Sequence, residues 1–300
     1  MFKVAWHSLY CHPLPLQHRF PMEKYNLLPQ QLLHEGIIHA NQLIHPSKVN
    51  DDIILWTHAP DYLNKLNQLS LSSSEIRSTG FPLSETLIER EKVIAQGTID
   101  AALYALKDGI GFNSAGGTHH AFTNKGEGFC LLNDMAIAAN YLLKMSLAEQ
   151  ILVVDLDVHQ GNGTAQIFAN QPKVFTFSMH GKKNYPLRKE QSDLDIELED
   201  FTNDDNYLRL LEEHLNKLVA TIKPNFIFYQ AGVDVLAEDK LGRLSLTLEG
   251  CKARDKIVLA ICKTNHIPLA VTMGGGYSPN INTIITAHTN TFRLANVIFC

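Results

Sequence analysis

The stretch Ile151-Leu152-Val153-Val154-Asp155-Leu156-Asp157-Val158-His159-Gln160-Gly161-Asn162-Gly163-Thr164 joins a short, continuous apolar run to a group of residues able to do chemistry. An apolar run without polar alternation reads as a strand buried on both faces, as in a parallel sheet. In extended backbone alternate residues share a face, so Asp155, Asp157 and His159 project one way while Leu156 and Val158 turn the other way. Two carboxylates and an imidazole on one face form most of a divalent-metal site. A lone Asp-x-His is more often a helix cap beside a core histidine. Two carboxylates in register after a buried strand are harder to explain that way, because like charges buried without a cation are costly.

Working outward, the runs Phe2 to Trp6, Ile53 to Thr57, Val174 to Met179, Phe226 to Tyr229 and Pro268 to Met273 also predict strands. Between them the apolar period changes to that of helices. Ser84 is a cap before Leu87, Ile88, Ile94, Ile99, Leu103 and Leu106, and Gly109 stops that helix. Leu208, Leu211, Leu215, Leu218 and Ile222 recur at steps of three and four until Pro224, and a third helix is predicted from Leu248 to His266, closed by Pro268. Strands alternating with helices predict βαβ units, hence an α/β fold with a mostly parallel central sheet and a site at the carboxyl ends of its strands. From Glu190 to Asp205 there are eight acidic residues and no basic one. Leu194, Ile196 and Leu198 alternate with Asp195 and Glu197 there, which predicts a half-exposed strand with a solvated acidic face rather than a docking site for a basic partner. No repeat or linker divides the chain, so one domain over residues 1–300 is expected.

Composition limits the function classes. With 300 residues, 45% hydrophobic and 19% charged, the chain reads as an ordinary globular protein. Its net charge of −5 argues against direct nucleic-acid binding and leaves room for a cationic substrate. No apolar run approaches the roughly 18 residues of a membrane span, and the start lacks the apolar core of a signal peptide, so no membrane association and a cytoplasmic location are expected. Cys11, Cys130, Cys251, Cys262 and Cys300 are scattered without a C-x-x-C pair. That suggests neither a disulfide framework nor a thiolate zinc site. With fourteen histidines available, a metal site here should be built from imidazole and carboxylate.

Other predicted strand ends carry chemistry as well. The run Phe226 to Tyr229 leads into Gln230-Ala231-Gly232-Val233-Asp234, where Asp234 is either a turn residue or a third ligand beside Asp157 and His159. The run Pro268 to Met273 leads into Gly274-Gly275-Gly276-Tyr277, whose glycines let backbone approach a ligand closely. Ala115-Gly116-Gly117-Thr118-His119-His120 presents two adjacent histidines. Adjacent side chains diverge, so the pair is either an exposed loop pair, the favoured reading of this motif alone, or two residues each with its own carboxylate or amide partner, one as general base and the other as a charged companion.

Taken in order, Gly116-Gly117-Thr118-His119-His120, Gly126-Glu127-Gly128-Phe129-Cys130-Leu131-Leu132-Asn133-Asp134, Asp155-x-Asp157-x-His159-x-Gly161-Asn162-Gly163-Thr164, Ala231-Gly232-Val233-Asp234 and Gly274-Gly275-Gly276-Tyr277 resemble the zinc-dependent histone deacetylase family. The segments His12 to Tyr25 and Gly117 to Ala121 resemble its short bacterial and class IV members. The resemblance covers nearly the whole chain and implies an arginase/deacetylase fold with zinc on Asp157, His159 and Asp234. It further implies His120 as general base and acid, His119 as its electrostatic partner, Asp155 as the carboxylate behind His119, and Tyr277 as the hydroxyl that polarises the carbonyl. Asp155 with Ser178 matches a structural potassium site. Phe129 and Tyr185, with Gly128 and Gly275, match the substrate channel, and Arg19 matches an arginine in the cavity beneath the metal. Asn162 departs from class I members, which pair the second histidine with an aspartate; His120 should be less basic for it. The phenolic Tyr185 is a second departure, in a channel usually lined by phenylalanine.

The implied reaction is metal-assisted hydrolysis of an acyl-lysine amide in a protein or peptide, with acetyl or a longer acyl group removed. Fe²⁺ suits the same ligands as zinc. The alternatives are a deacetylase for acetylpolyamines or other small acylated amines on the same residues and a non-catalytic acyl-lysine binder. A two-manganese hydrolase is disfavoured because Val235 and Leu236 follow Asp234.

Overall fold

The computed structural model describes all 300 residues. Eight strands form one sheet: β1 (Lys3–Ala5), β2 (Leu43–Ile44), β3 (Ile110–Asn113), β4 (Ile151–Asp155), β5 (Val174–Gly181), β6 (Leu194–Leu198), β7 (Phe226–Gln230) and β8 (Leu269–Thr272). Their order is β2-β1-β3-β8-β7-β4-β5-β6, and every pairing is parallel. All carboxyl ends therefore open on one edge of the sheet.

Alternate strand residues enter two separate cores, as the pleat requires. Leu152, Val154, Ile227 and Tyr229 pack on one face, and Ile151, Val153, Phe226 and Phe228 on the other. This two-sided burial is why those runs lack polar alternation. Ten helices complete the chain: α1 (Lys24–His34), α2 (Asp51–Ile54), α3 (Pro60–Asn67), α4 (Ser73–Thr79), α5 (Glu85–Asp108), α6 (Asp134–Lys144), α7 (Asn162–Phe168), α8 (Asp204–Ile222), α9 (Leu248–Thr264) and α10 (Ile281–Phe299). The core on the Ile151 face takes residues from α5 and α6, and the opposite core takes them from α1, α8, α9 and α10. Helix α5 ends as its caps dictate: the Ser84 side chain accepts from the Leu87 N–H, and Gly109 takes φ +87° at the carboxyl end. None of the helices is long and apolar enough to cross a membrane.

One strand reading changes, and strands β2 and β3 are additions to it. Ile53 to Thr57 is not a strand; Asn50 caps Asp52, and with Asp51 and Asp52 in the first turn the segment begins as helix α2. Strand β3 has no apolar run to announce it. It follows α5 directly, and a side chain on Gly111 would strike the Ala101 carbonyl of that helix, so glycine is what allows the helix to lie so close.

Candidate active site

Strands β3, β8, β7 and β4 are neighbours at the centre of the sheet. The turns after them bring His119 and His120, Gly274 to Tyr277, Asp234, and Asp157 with His159 to one place. The ligand atoms of Asp157, His159 and Asp234 all lie within 4.8 Å of one another, and all three residues are buried. His159 Nδ1 is 2.9 Å from Asp157 Oδ1 and 3.1 Å from Asp234 Oδ2.

Surrounding donors fix the two carboxylates. Gln230 Nε2 and the Gly275 N–H donate to Asp157 Oδ2 at 2.9 and 2.8 Å, and the Val158 N–H donates to Asp234 Oδ1 at 3.0 Å. Asp234 Oδ2 is buried without a hydrogen-bond partner. Burial, and then the charge of Asp157, push the Asp234 carboxyl up to about 7. Although burial works against it, the His159 imidazole is drawn up to about 10 by its bond to Asp157 and the nearby carboxylate of Asp234. The donor set thus attracts positive charge. Two carboxylates, one of them with an orphaned oxygen, and one imidazole fit a divalent ion. A Cβ on Gly275 would collide with the Asp234 carboxylate, and one on Gly232 with that of Asp157.

The two histidines find different partners. His119 Nδ1–H donates to Asp155 Oδ2 at 2.6 Å, and His120 Nδ1–H donates to Asn162 Oδ1 at 2.6 Å. Burial disfavours charge on His119, but the Asp155 carboxylate outweighs it and raises the imidazole above its ordinary value. His120 is driven well below the ordinary histidine value by burial and by the positive charge of His119 and His159. The two environments separate their basicities.

Behind Asn162 stands Glu127, which sequence reasoning missed. Asn162 Nδ2 donates to Glu127 Oε1 at 2.7 Å, while Lys125 Nζ donates to Glu127 Oε2 at 3.2 Å. A carboxylate only accepts, so it sets which way the Asn162 amide points, and with it which ring nitrogen of His120 carries the proton. Asp239 was missed as well; its Oδ2 accepts from the Tyr277 N–H at 2.6 Å and anchors the loop after β8. Neither role has a local signal, because each depends on a partner more than thirty residues away.

Tyr277, Phe129, Tyr185, His120 and His159 line a cavity of about 440 Å³. Gly128 and Phe129 have φ of +57° and +66°, and a Cβ on Gly128 would come within 2.6 Å of the His120 ring. The N–H groups of Gly128 and Phe129 donate to the Ser78 and Thr79 carbonyls and hold this loop. Tyr185, 40% exposed, stands at the mouth with its ring centroid 5.0 Å from that of His120. Continuous with this centre, a second cavity of about 30 Å³ runs from His120, Asp157, His159 and Tyr277 inward to Tyr25 and Arg90.

Arg19 is not beneath the Asp157-His159-Asp234 set. It lies exposed at the mouth, its guanidinium carbon 5.0 Å from the Phe129 ring centroid, because Phe20 takes the inward position in that segment. The buried cations are Arg90, on the small cavity, Lys24, whose Nζ donates to the Gly274 carbonyl at 2.8 Å, and Arg254, which bonds the Gly232 carbonyl. Asp155 and Ser178 face each other in register across β4 and β5, with Ser178 Oγ hydrogen-bonded to His180 Nδ1 at 3.0 Å.

Residues 18–292 match the family model described as the histone deacetylase domain. The chain is 43% identical to an uncharacterized protein of Picosynechococcus sp. over 99% of both chains, and 27% identical to histone deacetylase 2 of Arabidopsis thaliana over 87% of this chain and 70% of that one. A solved structure of an HDAC homolog complexed with SAHA superposes with a TM-score of 0.83 at 24% identity, covering 99% of this chain and 83% of the other. That likeness carries the fold.

Proposed function

Because the chain belongs to the histone deacetylase family, whose members share the arginase/deacetylase α/β fold, we propose that it is a metal-dependent amidohydrolase acting on acyl-lysine or a related acylated amine. Family membership supports a deacetylase-type hydrolase. The observation that carries the finer reading is the convergence of a buried Asp-His-Asp set, a histidine pair with different partners, and a tyrosine around one cavity.

Asp157, His159 and Asp234 would hold the ion, zinc or Fe²⁺. Bound there, it supplies Lewis acidity at neutral pH. The chain's own groups do the rest. Asn162 keeps the proton of His120 on Nδ1, which leaves Nε2 free to take a proton from the attacking water and return it to the leaving amine. His119, charged through Asp155, stands beside it as the cationic partner. The Tyr277 hydroxyl donates to the carbonyl oxygen as negative charge develops there. Phe129 and Tyr185, with Gly128 and Gly275, flank the substrate stem. Asp155 and Ser178 are proposed to share a structural potassium ion, as expected from the family. We further infer one catalytic domain over residues 1–300, in the cytoplasm, without direct nucleic-acid binding.

The small inner cavity argues for a short acyl group. About 30 Å³ holds one or two waters, or the methyl end of an acetyl group, but no long chain. The test is steady-state hydrolysis of an acetyl-lysine peptide against a long-chain acyl-lysine peptide, with metal-loaded and chelated protein. Release of acetate that stops on chelation and returns with metal is expected. Turnover that survives complete metal removal would overturn the mechanism, and faster removal of the long chain would overturn the acyl assignment.

A further inference from the structure

The chain as a whole is acidic, but the mouth of its cavity is not. The cavity is bordered by Arg19 and Arg77 and by a single carboxylate, Glu127. Both Glu127 oxygens are engaged, one by the Asn162 amide and the other by Lys125. No carboxylate pairs with Arg19 or Arg77, and neither guanidinium donates to a carbonyl. Arg19 is steadied against the Phe129 ring, and its loop is tied down where the His18 ring bonds to the Gly80 carbonyl at 2.9 Å. Two guanidiniums with free N–H donors thus face the entrance.

The acidic run from Glu190 to Asp205 does not offset them. None of its eight carboxylates borders the cavity. Asp200 pairs with Arg243 and Lys183, and Glu199 with Lys182. Glu190 borders a neighbouring depression together with Arg188 and Lys189. The cationic substrate that net charge alone allows therefore meets positive charge at the entrance.

We propose that Arg19 and Arg77 form a carboxylate-binding subsite at the mouth, selecting acylated amines that carry a carboxylate at the end remote from the amide. This rests on the amidohydrolase reading above. A lysine stem carries the amide toward His120 and Tyr277 while its α-carbon stays at the entrance, where guanidinium forks suit a carboxylate. That carboxylate is either the α-carboxylate of a free or carboxyl-terminal acyl-lysine, or an acidic side chain flanking an acyl-lysine in a protein.

The experiment compares, on metal-loaded enzyme, an Nα-capped Nε-acetyl-lysine bearing a free α-carboxylate with its primary amide. A second pair is an acetyl-lysine peptide flanked by aspartates and the same peptide flanked by lysines. The anionic member of at least one pair is expected to show a three- to ten-fold lower KM at low salt, and which pair responds identifies the source of the carboxylate. The ratio should fall toward one in the Arg19→Gln/Arg77→Gln double variant and at high salt, and be partly kept in Arg19→Lys/Arg77→Lys. Hydrolysis of all four substrates without discrimination, or a ratio indifferent to the double substitution, overturns the subsite and leaves the hydrolase reading standing. Failure to hydrolyse any of them overturns that reading instead.

Discussion

Replacing Glu127 by alanine tests whether the histidine base is oriented from two residues away. Asn162 is only 1% exposed, and its Nδ2 donates to Glu127 Oε1. Without that acceptor the amide keeps a buried, unsatisfied donor, which costs about 1–3 kcal/mol. The amide can relieve this by rotating, but then its NH₂ faces His120 Nδ1 and the ring proton must move to Nε2, the nitrogen needed as base. If that free energy appears in the barrier, kcat falls by about 5- to 150-fold, at tenfold per 1.36 kcal/mol. Glu127→Gln keeps an oxygen that can accept the same bond, so it should lose clearly less than Glu127→Ala. The assay is kcat and KM for an acetyl-lysine peptide, with metal content and Tm measured on the same samples. A Glu127→Ala enzyme with full metal and kcat within twofold of the parent would refute the reasoning, as would equal losses in the two variants.

Two further outcomes follow from the same geometry. Tyr277→Phe removes one oxyanion donor while the Asp239 anchor to the backbone N–H persists, so metal content should be retained and kcat should fall about 10²- to 10³-fold; an enzyme with full turnover would remove the hydroxyl from the mechanism. Gly275→Ala drives a methyl group against the carboxylates of Asp234 and Asp157, so metal affinity measured by titration should drop sharply while the fold persists by circular dichroism; unchanged affinity would contradict the packing.

Much of the fold could be read from the chain because its signals are local. Buried strands such as Ile151–Asp155 and Phe226–Gln230 appear as short apolar runs, and the Ser84 and Gly109 caps bound α5 within the sequence itself. Ile53 to Thr57 misleads because a run of four apolar residues and a threonine is ambiguous, and the Asn50 cap before it outweighs β propensity. Asp157 and His159 were legible from their spacing after a strand, as was Asp234 from its strand end. Glu127, Asp239, Gln230 and Lys24 were not, since their partners Asn162, Tyr277, Asp157 and Gly274 lie 35 to 250 residues away in the chain. Arg19 shows the limit of matching by position: a turn of the backbone before α1 exchanges which residues point inward, and Lys24 and Arg90 occupy the interior instead.

The four central strands supply every group proposed to act on the amide, whereas the entrance is assembled from elsewhere: Arg19 precedes α1, Arg77 belongs to α4, and Tyr185 follows β5. On the proposals above, chemistry and choice of substrate lie in different parts of the chain. A change of length or charge in the entrance segments leaves those strand-end groups in place, whereas a single methyl group added at Gly275 presses on the Asp234 and Asp157 carboxylates whatever the substrate.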